Sequence, residues 1–514
     1  MAKPIVFSFI MIALHCVEPA RILGVFPTPS ISHQVIFRPI MHELARRGHD
    51  VVVITPNPAF PPGKAPANLT EIDVHDVSYT HVDKLFSLQR GSKNDIVIQF
   101  AKILEGMSFI FDNQLQVPAV QRVLKEADTF DLVFVESCVR AALAISHVIK
   151  APTIQISSLG VSAAQYTLTG APIQPFLYPT PLQQRLYNLT LYEKLKEMIS
   201  FSSIVRSIYT SEHLDYAVAR KYFGEIPRFE EIFTNSKMLF INEHPLWADN
   251  RPVSPNILYI GGIHQSPEKP LPNDLKTYLD TSKNGVIYVS FGTNVKPKML
   301  DVGQVKMMVD VLSNLPYDVL WKWDNQTLIN RSDNIIISKW FPQADLLKHP
   351  NVKLFITQGG LQSTDEAIDG TVPLIGIPMM ADQWYNVEKY VRHNIGKQLD
   401  FSSLTADDFR NAVETVINNP SYKENIIRLR SMMRDQPMKP LDQAIFWTEH
   451  ILKYGGDHLQ PLNFGDYGLY EYYEGTLVLT ILSVLLLSVT TPVLILVFLC
   501  NYLRRSFSVK IKTS

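Results

Sequence analysis

At 514 residues the chain is longer than one hydrophobic core ordinarily serves, so two domains of roughly 200 to 250 residues each are expected. Its hydrophobic content of 46% can fill cores of that size. A formal net charge of −1 without any long basic run excludes the electrostatic footprint of a nucleic-acid binder.

Residues Met1 to Ala20 carry Lys3 and then the apolar run Ile5 to Leu14, the length of a signal-peptide core and too short to span a bilayer; a buried first strand is the alternative. Arg21 to Pro27 (RILGVFP) reads as a strand, His33 to Arg47 as a helix closed by Gly48, and Val51 to Thr55 as a second strand. Strand, helix, strand is the unit of a parallel sheet covered by helices. Phe130 to Glu136 (FDLVFVE) and Pro152 to Ser157 (PTIQIS) continue the series as buried strands. The apolar stripes of DIVIQFAKILEGMSFIF, from Asp95, and of Tyr166 to Tyr209 suit core packing, a ligand cleft or a membrane-facing surface.

Residues 21–243 therefore read as an N-terminal domain. Prolines and asparagines between His244 and Pro272 mark a connector, residues 244–272. A second strand series follows within residues 273–470: GVIYVSFGT from Gly285, YDVLWKW from Tyr317, NIIISKW from Asn334, VKLFIT from Val352 and TVPLIGIP from Thr371. The fold class is α/β, with two doubly wound domains facing a cleft.

Leu477 to Leu499 gives 23 mostly apolar residues without a charge, enough for a transmembrane helix. Asp466, Glu471 and Glu474 precede it, while Arg504, Arg505, Lys510 and Lys512 follow in the tail 501–514. The positive-inside rule then predicts a single-pass type I topology with both large domains lumenal. Lys510 and Lys512 match the KxKxx address of the endoplasmic reticulum membrane. Sequons at Asn68, Asn188, Asn325 and Asn330 fit lumenal exposure. Of the three cysteines, Cys16 and Cys500 fall in the leader and the membrane segment, leaving Cys138 alone, so stability must come from large cores.

The stretch FITQGGLQSTDEAIDG, Phe355 to Gly370, runs from a strand through paired glycines into a short helix whose N-terminal amides can cradle an anion. A glycine pair alone is equally a tight turn. Its neighbours add Trp340 and Gln343 after one adjacent strand, and Asp382, Gln383 and Asn386 after another. An aromatic plane, an anion loop, a carboxylate and amides form the inventory needed for a base, a diphosphate and a sugar. No G-x-G-x-x-G follows any strand, which argues against a dinucleotide oxidoreductase.

Trp340 to Gln383, WFPQADLLKHPNVKLFITQGGLQSTDEAIDGTVPLIGIPMMADQ, closely resembles the signature of the UDP-glycosyltransferase family, and the resemblance extends over nearly the whole chain. It implies a GT-B fold and a UDP-sugar as co-substrate, with no separate cofactor. Trp340 would flank the uracil, Gln343 would help hold the nucleoside and Glu366 would accept the ribose hydroxyls. Thr293, Ser363 and the amides of Gly360 and Leu361 would contact the diphosphate, and Asp382 and Gln383 would reach the sugar. Gln358 occupies a position where the family usually has histidine; its amide keeps an N–H donor but no charge, a loss of about 1 to 2 kcal/mol where a charge-assisted bond is replaced. The TQGG variant is similar to invertebrate members and favours UDP-glucose over UDP-glucuronic acid.

On the acceptor side the resemblance makes His33 the catalytic base and aligns Glu136 with the carboxylate that orients it, one methylene longer than the family's aspartate. A small lipophilic acceptor, an inverting displacement, detoxification chemistry, no metal requirement and a homo- or hetero-oligomer complete the expectation. The chain has no D-x-D sequence of the kind metal-dependent glycosyltransferases use. An inactive membrane-anchored binding protein of the same fold is the alternative, because Gln358 and Glu136 both depart from the usual pattern.

Overall fold

The computed structural model describes residues 18–80, 96–234, 236–325, 327–328, 330–460, 470 and 474–512, with the backbone alone for Lys298 and residues 505–512. The expected leader core, Asp95, Asp466, Glu471 and the dilysine side chains lie outside that description. The chain divides into two compact units, Met1–Pro461 and Leu462–Ser514.

Strands in the first unit form where apolar runs end in turns. Among the described residues, β1 (Arg21–Val25), β2 (Asp50–Thr55), β3 (Leu69–Asp73), β4 (Leu132–Glu136), β5 (Thr153–Ser157), β6 (Met238–Ile241) and β7 (Ile257–Tyr259) build one parallel sheet in the order β3-β2-β1-β4-β5-β6-β7. A second sheet has β8 (Val286–Ser290), β9 (Asp318–Lys322), β10 (Ile335–Ser338), β11 (Val352–Thr357), β12 (Leu374–Gly376) and β13 (Gly396–Gln398) in the order β10-β9-β8-β11-β12-β13. β4, β5 and β8 are buried along their whole length, as strands covered by helices on both faces must be. In both sheets the order reverses once, between β1 and β4 and between β8 and β11. Loops leaving two such strands diverge and open a crevice at their carboxyl ends.

The first helix runs Ile31–Arg46, two residues earlier than the sequence suggested, so His33 lies inside its first turn. Gly48 follows the cap at φ +98° and donates its N–H to Ala45, as a helix-ending glycine does. The helix Ile96–Leu115 buries Met107, Ile110, Phe111 and Leu115 in the core beneath the first sheet. A 33-residue helix, Leu191–Phe223, begins at a capping box between Thr190 and Glu193. Its first turns expose Leu191, Tyr192, Leu195 and Ile199, so this part of the Tyr166 to Tyr209 stripe is surface and not core.

Two departures from the expected domain plan have clear physical causes. Within residues 244–272 the short piece Ile257–Tyr259 pairs with β6 and so extends the first sheet. The helix Pro440–Tyr454 lies within residues 273–470 but returns to the first sheet, burying Ala444, Ile445 and Ile451 in the same core as Phe37, Ile40 and Leu44. Arg47 meets Glu449 of this helix at 3.0 Å. The first half is therefore completed by a helix distant in sequence.

In the second unit, helix Gly475–Lys512 contains Gly475–Arg504, 30 residues that are long and apolar enough to cross a membrane.

The returning helix yields a stability test. Ile445 is fully buried and its neighbour Phe446 is half exposed. Ile445→Ala should cost about 2 to 5 kcal/mol in urea unfolding, whereas Phe446→Ala should stay within about 0.5 kcal/mol. Equal effects would mean that the helix does not pack on this face.

Candidate active site

Both chain reversals place polar groups at a strand end. In the first sheet, β1 delivers Thr28 and His33, β4 ends in Glu136 and β5 is followed by Ser158. His33 Nδ1 lies 2.7 Å from Glu136 Oε1 and 2.7 Å from Ser158 Oγ. A carboxylate can only accept, so the ring proton sits on Nδ1 and the Nε2 lone pair is left for a substrate. The other oxygen of Glu136 accepts the Thr28 N–H at 3.0 Å, and the Cys138 thiol donates to Oε1 at 3.3 Å. Glu136 is fully buried while part of the His33 ring is open. The extra methylene of glutamate is accommodated: the carboxyl group reaches the imidazole at full hydrogen-bond contact.

In the second sheet, β11 ends at Thr357 and the chain passes Gln358, Gly359 and Gly360 into the helix Leu361–Gly370. Gly359 adopts φ +89°, and a Cβ there would strike Val387, so only glycine suits the turn. Gly360 caps the helix without a side chain and no acidic residue occupies the first turn, which leaves the leading amides to an outside anion. The helix ends with Thr371 in the left-handed region at φ 57°, one residue beyond the glycine expected to stop it. Gly370 is the last helical residue, and a Cβ there would meet the Leu347 carbonyl.

Gln358 is buried, and its Oε1 accepts from Thr357 Oγ1 at 3.2 Å. That bond turns Nε2 toward Gly292, where a Cβ would collide with it, and toward Gly360. Gly292, at φ +74°, precedes Thr293 in the turn after β8. Lys322, at the end of β9, donates to the Gly292 carbonyl at 2.7 Å. Burial lowers its pKa, partly offset by Asp324. Sequence reasoning found no cation beside this turn, since only strand order brings β9 next to β8.

Gln343 is fully engaged by protein. Its Oε1 accepts from the Tyr288 hydroxyl at 3.0 Å, while Nε2 donates to Ser363 Oγ at 2.9 Å and Glu366 Oε2 at 2.7 Å. In this geometry it positions Glu366 and Ser363, whereas the resemblance had it holding the nucleoside. Burial pushes Glu366 up to about 7, against the lowering effect of the Gln343 hydrogen bond. Trp340 stands 63% exposed beside this group, a flat apolar surface free to take a ring.

Asp382 and Gln383 begin the helix that runs Gln383–Arg392. Gln383 Oε1 accepts the N–H groups of Met379 at 2.8 Å and Met380 at 3.0 Å, fixing the loop after β12. Asn386 Nδ2 donates to Asp382 Oδ2 and to the Gly359 carbonyl, each at 2.9 Å. Asn386 Oδ1 in turn accepts from Trp247 Nε1 at 3.1 Å, a bond from residues 244–272. Burial pushes Asp382 up to about 6, while Asn386 and the charge of His33 act to lower it. Asp382 therefore lies within electrostatic range of His33. Gln362 Nε2 closes the approach by donating to the Ser158 carbonyl at 2.8 Å. Ser158, Asn386 and Trp247 were invisible as partners in sequence, because each bond joins residues more than a hundred positions apart.

A histidine held by a buried carboxylate, a helix N-terminus without a side-chain cap, and the buried carboxyl groups of Glu366 and Asp382 thus stand at the strand ends of the two sheets, an arrangement suited to a nucleotide-sugar-dependent glycosyltransferase. The family model for "UDP-glucoronosyl and UDP-glucosyl transferase" matches residues 21–513, and the chain belongs to that family. It is 36% identical over 492 residues to an ecdysteroid UDP-glucosyltransferase of Lymantria dispar multicapsid nuclear polyhedrosis virus, covering 93% of this chain and 97% of that protein. It is 29% identical over 522 residues to UDP-glucosyltransferase 2 of Dactylopius coccus, covering 97% and 96%. Among solved structures, the kitacinnamycin glycotransferase superposes with a TM-score of 0.58 at 17% identity, over 84% of this chain and 99% of that one. Glycosyltransferase VinC, solved with DTDP, gives 0.56 at 14%, with 84% and 99% covered. The fold is GT-B, and the protein is a UDP-sugar-dependent glycosyltransferase.

The raised Glu366 carboxyl gives a pH test. A group titrating at about 7 is mostly ionised at pH 8 and mostly neutral at pH 6, so UDP affinity should fall about tenfold across that interval. Calorimetric titration should show Glu366→Gln binding UDP weakly and without this slope. A parent affinity flat in pH would separate Glu366 from the ribose.

Proposed function

We propose that this enzyme transfers glucose from UDP-glucose, with inversion, to a hydroxyl of a small lipophilic acceptor. The observation carrying the reading is the placement of His33, whose Nδ1 is held by Glu136 and Ser158 in a partly exposed ring within electrostatic range of Asp382, which leaves Nε2 for an acceptor. His33 Nε2 takes the acceptor proton as its oxygen attacks the anomeric carbon from the face opposite UDP. Glu136 steadies the ring through the charged stage.

Charge on the departing diphosphate falls on the amides of Gly360 and Leu361, the hydroxyls of Thr293 and Ser363, and the Gln358 amide. Lys322 supplies beside them the positive charge that glutamine lacks. No step in this scheme requires a metal. Trp340 stacks on the uracil, Glu366 takes the ribose hydroxyls, and Asp382 with the Gln383 amide takes those of the sugar. The DTDP held by VinC is consistent with a nucleoside diphosphate in such a cleft.

Glucose is favoured because relatives at 35%, 36% and 29% identity carry the name UDP-glucosyltransferase, although one at 32% is named only as a UDP-glycosyltransferase. The ecdysteroid named for the viral relatives supports an apolar, hydroxyl-bearing acceptor. The exposed apolar helix Gly475–Arg504, the basic residues after it and four exposed sequon asparagines support an anchored enzyme with its catalytic unit in the lumen of the endoplasmic reticulum.

Purified enzyme given UDP-glucose or UDP-glucuronic acid with one phenolic acceptor should yield the hexoside mass from the first donor. His33→Ala should lower turnover about 10²- to 10⁴-fold while UDP binding holds. Near-normal turnover in that variant would remove His33 from the mechanism, and transfer from UDP-glucuronic acid alone would overturn the donor assignment.

A further inference from the structure

Cys138 has no part in the transfer scheme, yet it is an exposed free thiol two residues past the end of β4. The thiol donates at 3.3 Å to Glu136 Oε1, the oxygen that also meets His33 Nδ1 at 2.7 Å. A sulfur, a ring nitrogen and a carboxyl oxygen thus lie within 4.8 Å of one another. A tetrahedral zinc ion with bonds of about 2.0 to 2.3 Å sets its ligands about 3.3 to 3.8 Å apart, within reach of small side-chain rotations here. The second Glu136 oxygen is already held by the Thr28 N–H at 3.0 Å, the kind of outer bond that orients a metal ligand. Although solvent reaches the sulfur, the protein packed around it and the adjacent Glu136 push the thiol pKa up, so the free site keeps its proton.

We propose that His33, Glu136 and Cys138 form an inhibitory site for a thiophilic divalent cation such as Zn²⁺. On binding, the Cys138 S–H releases its proton to solvent and the thiolate takes the ion, with Glu136 supplying an oxygen. His33 gives its Nδ1 lone pair to the metal, and the ring proton moves to Nε2. The imidazole stays neutral and one proton leaves overall. Nε2 now carries hydrogen and has no lone pair for an acceptor hydroxyl, so the cation disables the base by reversing its tautomer. The inhibition rests on His33 as the base; the binding site does not.

The test uses the full chain in detergent, in a Cys500→Ser background so that the other described thiol is absent. Cadmium binding is read from the thiolate-to-metal ultraviolet band, and zinc inhibition from UDP-glucose turnover with EDTA reversal. The parent should show the band and be inhibited reversibly. Cys138→Ala should lack the band and need at least about tenfold more zinc for half inhibition, with UDP binding as the folding control. Cys138→Ser serves as a second variant if the alanine form fails to accumulate. An equal band or equal zinc sensitivity with and without the thiol overturns the site. A thiol-dependent band with turnover untouched by zinc overturns the inhibition and, separately, counts against His33 as the base.

Discussion

A carboxyl group with no solvent contact must find its hydrogen bonds within the protein, and Glu136 is such a group. It ends a strand buried on both faces, and its partners come from the loop after β1, the first helix and its own following turn. Meeting that requirement fixes the imidazole in one tautomer and one orientation. A structural necessity of the first sheet thereby sets the geometry of the proposed base.

The second sheet uses the same strand order for the opposite charge. The crevice between β8 and β11 gathers the Gly292 turn, the Gln358 amide and an uncapped helix N-terminus, all groups that suit an anion. Trp247 links residues 244–272 to Asn386, which binds both Asp382 and the Gly359 carbonyl. Lys389, fully buried, donates to the Trp247 carbonyl and pairs with Asp249 at 3.2 Å. A displacement of Trp247 would therefore disturb Asp382 and the Gly359 turn together.

Much of this was legible in sequence. VIYVS, VKLFIT and LVFVE are apolar runs ending at turns, and each formed the expected strand. β3, β7 and β13 were missed because three to five residues of mixed character, such as LTEID or GKQ, carry too little periodicity, and β6 was missed because four apolar residues, MLFI, are too short to tell a buried strand from a helix segment. The helix Leu191–Phe223 gave no clear signal because apolar side chains occupy its solvent face as well as its buried one. In the site, the glycine pair and its neighbouring strand ends drew attention to residues 340–386, and the family resemblance then singled out Gln358, Gly360, Ser363, Glu366 and Asp382, which lie at or just after the ends of β11 and β12. Spacing could not reveal that Gln343 is spent on Glu366, that Ser158 meets His33, or that Lys322 donates to the Gly292 carbonyl, since those facts follow from strand order.

The central claim is a single displacement driven by a base on the face of the sugar opposite UDP. The anomeric configuration of the product, read from the proton coupling at the new glycosidic centre, tests this most directly. An α-configured UDP-glucose should give a β-glucoside. An α-glucoside would contradict the account, because retention requires a second displacement or front-face attack that this arrangement of His33 does not provide.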